Sequence, residues 1–167
     1  MKRTIFLILI IINCITIFYF SNQVADISSG SSGRVVNFLA QILPNLRNMP
    51  EEERQIICSE ILQPIVRKTA HFSIYTLLGF LTMNFALTFN KTTTQEGLYS
   101  WLFGTAYAIT DEIHQLFIQG RSCEFRDVCI DSLGVLTGII FALIIFEICR
   151  KIRNKYKSKK GEELEKV

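Results

Sequence analysis

Four long apolar blocks occupy most of this 167-residue chain and constrain its fold more than any other feature. The blocks are Thr4–Gln23, Thr69–Asn90, Gly97–Ile118 and Val128–Phe146. Each has close to the ~20 residues that a helix needs to cross the hydrocarbon of a bilayer. A soluble all-α core is the alternative, but continuous apolar blocks of this length are typical of membrane helices. We therefore predict an all-α polytopic membrane protein with four transmembrane helices.

Basic residues at both ends of the chain predict its orientation. Lys2 and Arg3 precede the first block, and a run of Lys and Arg follows the fourth between Arg150 and Lys160. Lys and Arg near helix ends stay on the cytoplasmic side. Both termini are therefore predicted to be cytoplasmic, with a membrane domain over 1–149, an outer segment over 21–68 and a basic tail over 150–167. The first block also suits a signal peptide, but no small-x-small cleavage site follows it, so we expect a retained helix.

The outer segment contains signs of helices at the membrane surface. Residues Ser28–Gly33 have the composition of a flexible linker. Val35–Leu43 and Ile56–Val66 carry apolar residues at helical spacing, and Pro44 and Pro50 separate them. These patterns predict one or two interfacial amphipathic helices on the outer leaflet, or a lid over the bundle.

The five cysteines form no metal-binding pattern. They are scattered along the chain without a CxxC pair. Cys58 and Cys123 can both lie in outer segments, where a disulfide is possible, but two free thiols are the favoured interpretation.

Polar side chains interrupt the apolar blocks at one predicted membrane depth. They are Arg67, Lys68 and His71 at the start of the second block, Asp111, Glu112, His114 and Gln115 near the end of the third, and Arg121, Asp127 and Asp131 before or within the start of the fourth. In the predicted topology all three regions are on the outer side. Ionisable groups at membrane depth are costly and usually mark a bundle interior or a functional site. We predict that one cluster near the outer interface contains His71, Asp111, Glu112, His114, Arg121, Asp127 and Asp131.

Helical spacing sorts these side chains into faces. Arg67, His71 and Tyr75 form one stripe of the second helix. On the third helix Asp111 shares a face with His114 and Gln115, whereas Glu112 points about 100° away. On the fourth helix Asp127 and Asp131 align with Gly134 and Gly138. This GxxxG pattern allows close helix approach, so Asp131 is predicted to face a neighbouring helix and not lipid.

Several chemistries fit this set of residues. Histidines and carboxylates can bind Zn, Mn or Fe, but no zincin spacing is present, so we expect no metal and no cofactor. Carboxylates at low dielectric can act as acids or bases, and the candidates for catalysis are His71, Asp111, Glu112, His114, Asp127 and Asp131. Arginines and lysine can hold a phosphate, and the candidates for ligand binding are Arg67, Lys68, Tyr75, Gln115 and Arg121, with Arg126 nearby. The fourth possibility is that the charges only pair with one another and lock the ends of the helices.

Three motifs resemble those of the VanZ-like family. They are Phe20-Ser-Asn-Gln23, Arg67-Lys-x-x-His71-Phe-x-x-Tyr75, and Asp111-Glu-x-His-Gln115-x-Phe followed by Gly120-Arg121-x5-Asp127-x3-Asp131-x2-Gly134. The resemblance implies a small multi-pass protein of the bacterial cytoplasmic membrane, in a family whose founding member is associated with teicoplanin resistance. It implies no established reaction. Gln119, where relatives often have proline, and Asn22, where they often have serine, depart from the pattern.

Two classes of function remain open at this point. The favoured one is non-enzymatic binding of an envelope lipid, an anionic headgroup or a cell-wall precursor, linked to glycopeptide resistance. The other is an integral-membrane hydrolase or transferase acting on a phosphate- or ester-bearing lipid, with His71 or His114 as acid–base. Membrane lipids are the expected partners in both cases, and no nucleic acid is expected.

Overall fold

Helices make up almost all of the chain that the computed structural model describes, namely residues 1–22, 25–89, 91–119, 121 and 123–164, and no strand occurs there. The α-helices are α1 (Lys2–Ser21), α2 (Ala25–Ile42), α3 (Pro44–Arg47), α4 (Glu51–Ile57), α5 (Gln63–Ala86), α6 (Thr93–Gln115) and α7 (Phe125–Leu164). A π-helical turn (Cys58–Leu62) joins α4 to α5, and a 3-10 turn (Leu87–Phe89) follows α5. The all-α prediction is confirmed for the described residues.

Three helical segments are long and apolar enough to cross a membrane. They are Lys2–Ser21, Glu51–Phe89 and Phe125–Lys157. Helix α6 has 23 residues, which is sufficient length, but it is not one of the three. Polar residues in its first turn and charged residues in its last two turns lower its mean hydropathy. The membrane class is therefore supported, and a fourth crossing by α6 stays a prediction.

Helices α1, α5, α6 and α7 pack into one bundle, with α5 in contact with the other three. Arg3 Nη2 donates to the Thr88 carbonyl oxygen at 2.6 Å, and Asn13 Nδ2 donates to the Ile74 carbonyl oxygen at 3.3 Å, so α1 runs antiparallel to α5. Short connections make α6 antiparallel to both α5 and α7. The end of α1, the start of α5, the end of α6 and the start of α7 consequently meet at one end of the bundle, called here the site end.

The interior of the bundle is apolar, and so is much of its outer surface. The buried cluster consists of Ile10, Ile17, Tyr75, Leu78, Leu81, Met83, Ala108, Val135, Ile139 and Ala142. Outward-facing residues such as Ile12, Ile15 and Phe141 expose about half or more of their surface. An apolar surface of this extent needs a lipid or protein partner to cover it. It agrees with a membrane environment.

Glycines bring α5 and α7 into backbone contact. A Cβ atom at Gly138 would lie 1.9 Å from the Thr76 carbonyl oxygen, and one at Gly79 would lie 2.0 Å from the Val135 carbonyl oxygen. Gly134 is similarly close to the Phe72 carbonyl oxygen, at 2.7 Å. The prediction that the GxxxG pattern permits close helix approach is confirmed, and α5 is the partner helix.

The segment between the first two apolar blocks departs from the linker prediction, and the predicted interfacial helices are not confirmed. The Ser/Gly run at 28–33 is not a linker but part of helix α2, whose contacts with α5 and the π-helical turn outweigh the low helix propensity of Gly and Ser. Residues Ile56–Val66 do not form a separate surface helix, because α4, the π-helical turn and α5 continue as one helical segment. In the described part of α2, Val36 and Ala40 are buried whereas Phe38 and Ile42 are exposed.

The C-terminal region continues helix α7. Helix α7 runs past residue 150, so no break in the backbone marks the predicted start of the basic tail. All five cysteines are free, and the possible Cys58–Cys123 disulfide is not formed.

Candidate functional site

A polar cavity of about 60 Å³ lies at the site end of the bundle. It is lined by Arg67, Lys68, His71, Glu112, Gln115, Arg121, Glu124, Asp127, Ile130 and Asp131. These residues come from the start of α5, the end of α6, the connection that follows and the start of α7. The cavity has room for a few water molecules or a small ion. The three polar regions singled out in the sequence therefore meet in space.

One histidine and two aspartates from three different helices approach one another closely; we call them the His–Asp–Asp cluster. One donor atom each from His71, Asp111 and Asp131 lies within 4.8 Å of the other two. His71 Nδ1 is 4.0 Å from Asp131 Oδ2, which is too long for a direct hydrogen bond. Asp111 and Asp131 are only 5% and 2% exposed.

Helix α1 supports this cluster through Asp111. Ser21 Oγ donates a buried hydrogen bond of 2.8 Å to Asp111 Oδ2, and Gln115 Nε2 donates to the same oxygen at 3.2 Å. Sequence reasoning did not select Ser21. Its place in the Phe20-Ser-Asn-Gln23 motif was the available signal, because a single serine after an apolar block carries no chemistry of its own.

Tyr75 lies beneath the cluster and does not line the cavity. It is fully buried, and its hydroxyl lies close to the Asp111 carboxylate without the geometry of a full hydrogen bond. Its ring centroid is 6.4 Å from that of Tyr107, whose hydroxyl donates to the Cys14 carbonyl oxygen at 2.7 Å. Asp111 and Asp131 both interact electrostatically with Tyr75. Tyr75 thus lies below the carboxylates of Asp111 and Asp131, further inside the bundle.

Lys68 is bound by one acidic group just before α7 and one in its first turn. Its ammonium group donates to the Asp127 carboxylate and lies 3.6 Å from Glu124 Oε2. The Glu124 backbone N–H in turn donates to Glu112 Oε2 at 3.2 Å. Sequence reasoning missed Glu124, although it lies three residues before Asp127 in a charged connection. Arg126, considered above for phosphate binding, is not among the residues that line the cavity, and its side chain is 72% exposed.

The two arginines of the cavity differ in their contacts. Arg121 donates to Gln115 Oε1 and to the Phe20 carbonyl oxygen, both at 3.2 Å. Arg67 has no hydrogen bond or ion pair among the described residues. Burial and then the positive charge of Arg67 lower the pKa of Arg121, while Asp111 and Glu112 act in the opposite direction.

His114 lies apart from the His–Asp–Asp cluster, and a functional role for it stays a prediction. Its ring stacks on Phe18 of α1 at a centroid distance of 4.7 Å, and it does not line the cavity. Helical geometry explains this placement. Relative to Asp111, residue 114 lies about 60° to one side of the helix, whereas residues 115 and 112 lie about 40° and 100° to the other. The cavity is on the side of Gln115 and Glu112.

The arrangement can perform two kinds of chemistry. The His–Asp–Asp cluster offers nitrogen and oxygen donors, as divalent metal ions require. The arginines and Lys68 at the cavity can bind an anionic oxygen by charge-assisted hydrogen bonds. Both groups of residues occupy the same end of the bundle.

Comparison with known families agrees with this architecture. The model of the family described as VanZ/LLP1 matches residues 6–146, which include residues of all four bundle helices and every residue of the polar cavity. No curated protein and no solved structure matches the chain. Because the match extends over most of the sequence, the chain belongs to the VanZ/LLP1 family, as the motifs at its polar positions predicted.

Proposed function

We propose that this protein binds the phosphate-bearing headgroup of an anionic envelope lipid in the polar cavity, at the outer face of the bacterial cytoplasmic membrane. VanZ-like proteins are linked to resistance at the family level. Sequestering or shielding a headgroup at the outer surface would change how a glycopeptide such as teicoplanin reaches its target. The proposal therefore connects the family's link to resistance with a specific end of the bundle.

The neighbouring guanidinium groups of Arg67 and Arg121 are the observation that carries the proposal. They are close enough for the charge of Arg67 to lower the pKa of Arg121. Like charges repel, and Arg67 has no anionic partner among the described residues. A phosphate would relieve this repulsion, and arginine binds phosphate with two parallel hydrogen bonds.

Aromatic residues around the site end support its placement at headgroup depth. Phe117 and Phe125, on either side of the α6–α7 connection, are each 81% exposed. Tyr19, near the end of α1, is 64% exposed. Aromatic side chains are favoured at membrane–water interfaces, where a polar cavity would meet lipid headgroups.

The proposed topology has four crossings, with α6 as the third and both termini in the cytoplasm. In a cysteine-free background, Arg126→Cys should react with a membrane-impermeant maleimide on intact cells, because residue 126 is at the site end. Lys155→Cys, toward the other end of the same helix, should react only after the membrane is permeabilised. Labelling of Lys155→Cys on intact cells would contradict the orientation.

Headgroup binding is tested with purified full-length protein in detergent. Soluble dihexanoyl-phosphatidylglycerol is titrated by calorimetry, with the zwitterionic phosphatidylcholine analogue as the reference ligand. Arg67→Gln and Arg121→Gln should each weaken binding about 10- to 100-fold, the loss expected for hydrogen bonds between charged groups. Arg150→Gln is the matched control, because Arg150 is exposed toward the far end of α7 and pairs with Glu147.

The outcomes of this titration also separate lipid from free phosphate. Competition by millimolar inorganic phosphate would show that the cavity binds the phosphate group itself. Equal affinity of wild type, Arg67→Gln and Arg121→Gln for phosphatidylglycerol would contradict the proposal.

An enzyme is the second candidate, and the position of His71 beside two buried carboxylates favours it. A hydrolase or transferase of this kind would use His71 as acid–base on a phosphate- or ester-bearing lipid. Wild type, Arg121→Gln, Asp131→Asn and His114→Gln are expressed in a susceptible host, and teicoplanin tolerance is compared with the lipid profile by mass spectrometry. Tolerance that falls in Arg121→Gln without a change in lipids supports binding. A covalently altered lipid that disappears in Asp131→Asn but persists in His114→Gln would show that the protein is an enzyme and would contradict a purely binding function.

A further inference from the structure

Asp131 is a buried carboxylate without a donor. It is 2% exposed, it lines the polar cavity, and among the described residues no group donates a hydrogen bond to it. Its nearest basic group is His71, at 4.0 Å. Burying an ionised carboxylate without partners is costly, so the side chain must hold a proton or face a cation.

The surrounding donors favour a cation. One atom each of His71, Asp111 and Asp131 lies within 4.8 Å of the others. Two ligands on opposite sides of an ion bound at about 2.1 Å are ~4.2 Å apart, and ligands at smaller angles are closer. Small side-chain rotations would therefore bring all three atoms into one coordination sphere. We propose that these three residues bind one divalent transition-metal ion, Mn²⁺ or Zn²⁺, with open positions toward the cavity.

Hydrogen bonds around Asp111 fit the role of a metal ligand. Ser21 Oγ and Gln115 Nε2 both donate to Oδ2, so neither of them occupies Oδ1. Metal-binding carboxylates are commonly oriented by such outer contacts. The hydroxyl of the fully buried Tyr75 lies beneath the same two carboxylates, close to Asp111, and can donate to either.

The charges near the cluster are compatible with a divalent ion. Two aspartates balance its charge, and the buried Glu112 adds a further carboxylate at the cavity. Lys68 is neutralised by Asp127 and Glu124. The guanidinium groups of Arg67 and Arg121 oppose cation binding, and an anion bound between them would offset that repulsion. No metal motif is visible in the sequence because the three ligands come from three separate helices.

Metal binding is measured directly on the full chain purified in detergent. The protein is stripped with EDTA, freed of chelator and titrated with Zn²⁺ by calorimetry and with Mn²⁺ by EPR. Wild type should bind about one ion per chain. Asp131→Asn and His71→Gln should weaken binding at least tenfold, because each removes one ligand. His114→Gln and Glu147→Gln are the matched controls, since these residues lie outside the cavity, and they should bind as wild type does.

Pulsed EPR gives a second readout that does not depend on affinity. Bound Mn²⁺ should show coupling to one histidine nitrogen in wild type and in His114→Gln, and none in His71→Gln. Wild type that binds neither ion saturably, or that binds Mn²⁺ without nitrogen coupling, overturns the metal site even if a variant fails to fold. Binding of equal strength in folded Asp131→Asn also overturns it. The phosphatidylglycerol titration is repeated in EDTA, so that lipid binding is measured without bound metal. Failure of the metal site and failure of the proposed lipid binding can then be told apart.

Discussion

Replacing Gly138 by alanine is expected to destabilise the bundle by about 1–3 kcal/mol, because overpacking at a rigid contact forces the backbone to move. The added Cβ would lie 1.9 Å from the Thr76 carbonyl oxygen and 2.6 Å from the Phe80 nitrogen. Both atoms belong to the backbone of α5, so no side-chain rotation can relieve the clash. Helices α5 and α7 must separate, which also moves His71 away from Asp131. Unfolding of the purified protein in mixed SDS and detergent micelles measures the loss.

Gly97→Ala is the matched control for this prediction. A Cβ atom at Gly97 of α6 would contact only the Ile139 side chain, at 3.9 Å. Alanine is favoured over glycine inside a helix by about 1 kcal/mol, so this variant should be as stable as wild type or more so. Equal unfolding of Gly138→Ala and wild type would show that the α5–α7 contact is not as close as described here.

Replacing Asp111 by alanine is expected to cost about 2–4 kcal/mol and to loosen α1 from the site end. The substitution removes the acceptor of two buried hydrogen bonds, and leaving buried donors unsatisfied costs about 1–3 kcal/mol each. One donor is Ser21 on α1 and the other is Gln115 on α6 itself. Unfolding in micelles, with EDTA present so that no metal contributes, gives the change in free energy.

A double-mutant cycle with Ser21→Ala isolates the contact between the two helices. Residues in direct contact typically show a coupling energy of about 0.5–3 kcal/mol in such a cycle. A hydrogen bond to a charged group typically contributes about 1.5–3 kcal/mol, so we expect a coupling in the upper part of that range. Thr110→Ala is the control, because Thr110 is exposed and its hydroxyl donates to the Tyr107 carbonyl oxygen of its own helix. Additive effects of Ser21→Ala and Asp111→Ala would contradict a direct bond.

The geometry of the site end has a consequence for ligand binding. The buried carboxylates of Asp111 and Asp131 lie deep, next to Tyr75, whereas the guanidinium groups of Arg67 and Arg121 are only partly buried. The more exposed carboxylates of Glu124 and Asp127 also line the cavity, but both are paired with Lys68, so the arginines offer the positive charge that an entering anion can bind. A divalent ion on the carboxylates would reverse the sign of this inner surface and allow a phosphate oxygen to bind there.

The sequence by itself determined the class of fold and most of the polar residues that meet. Apolar blocks near bilayer length are sufficient to predict the long helices, since a chain in lipid must satisfy its backbone hydrogen bonds within helices. Because consecutive long helices run in opposite directions, His71, Asp111 and Asp131 then lie at the same end of the bundle. The glycines at 134 and 138 also predicted a close helix contact, because only a missing side chain permits it.

The tertiary structure decided which face of each helix points inward and which partner it meets. Asp111 and His114 share a face by spacing alone, yet Asp111 joins the His–Asp–Asp cluster whereas His114 stacks on Phe18 of α1. The Ser/Gly run at 28–33 became helical because contacts with α5 outweigh local propensity. The donor atoms of His71, Asp111 and Asp131 lie within 4.8 Å of one another because of the rotation and spacing of the three helices that carry them. That information lies in contacts between residues far apart in the chain, which periodicity within a single helix does not contain.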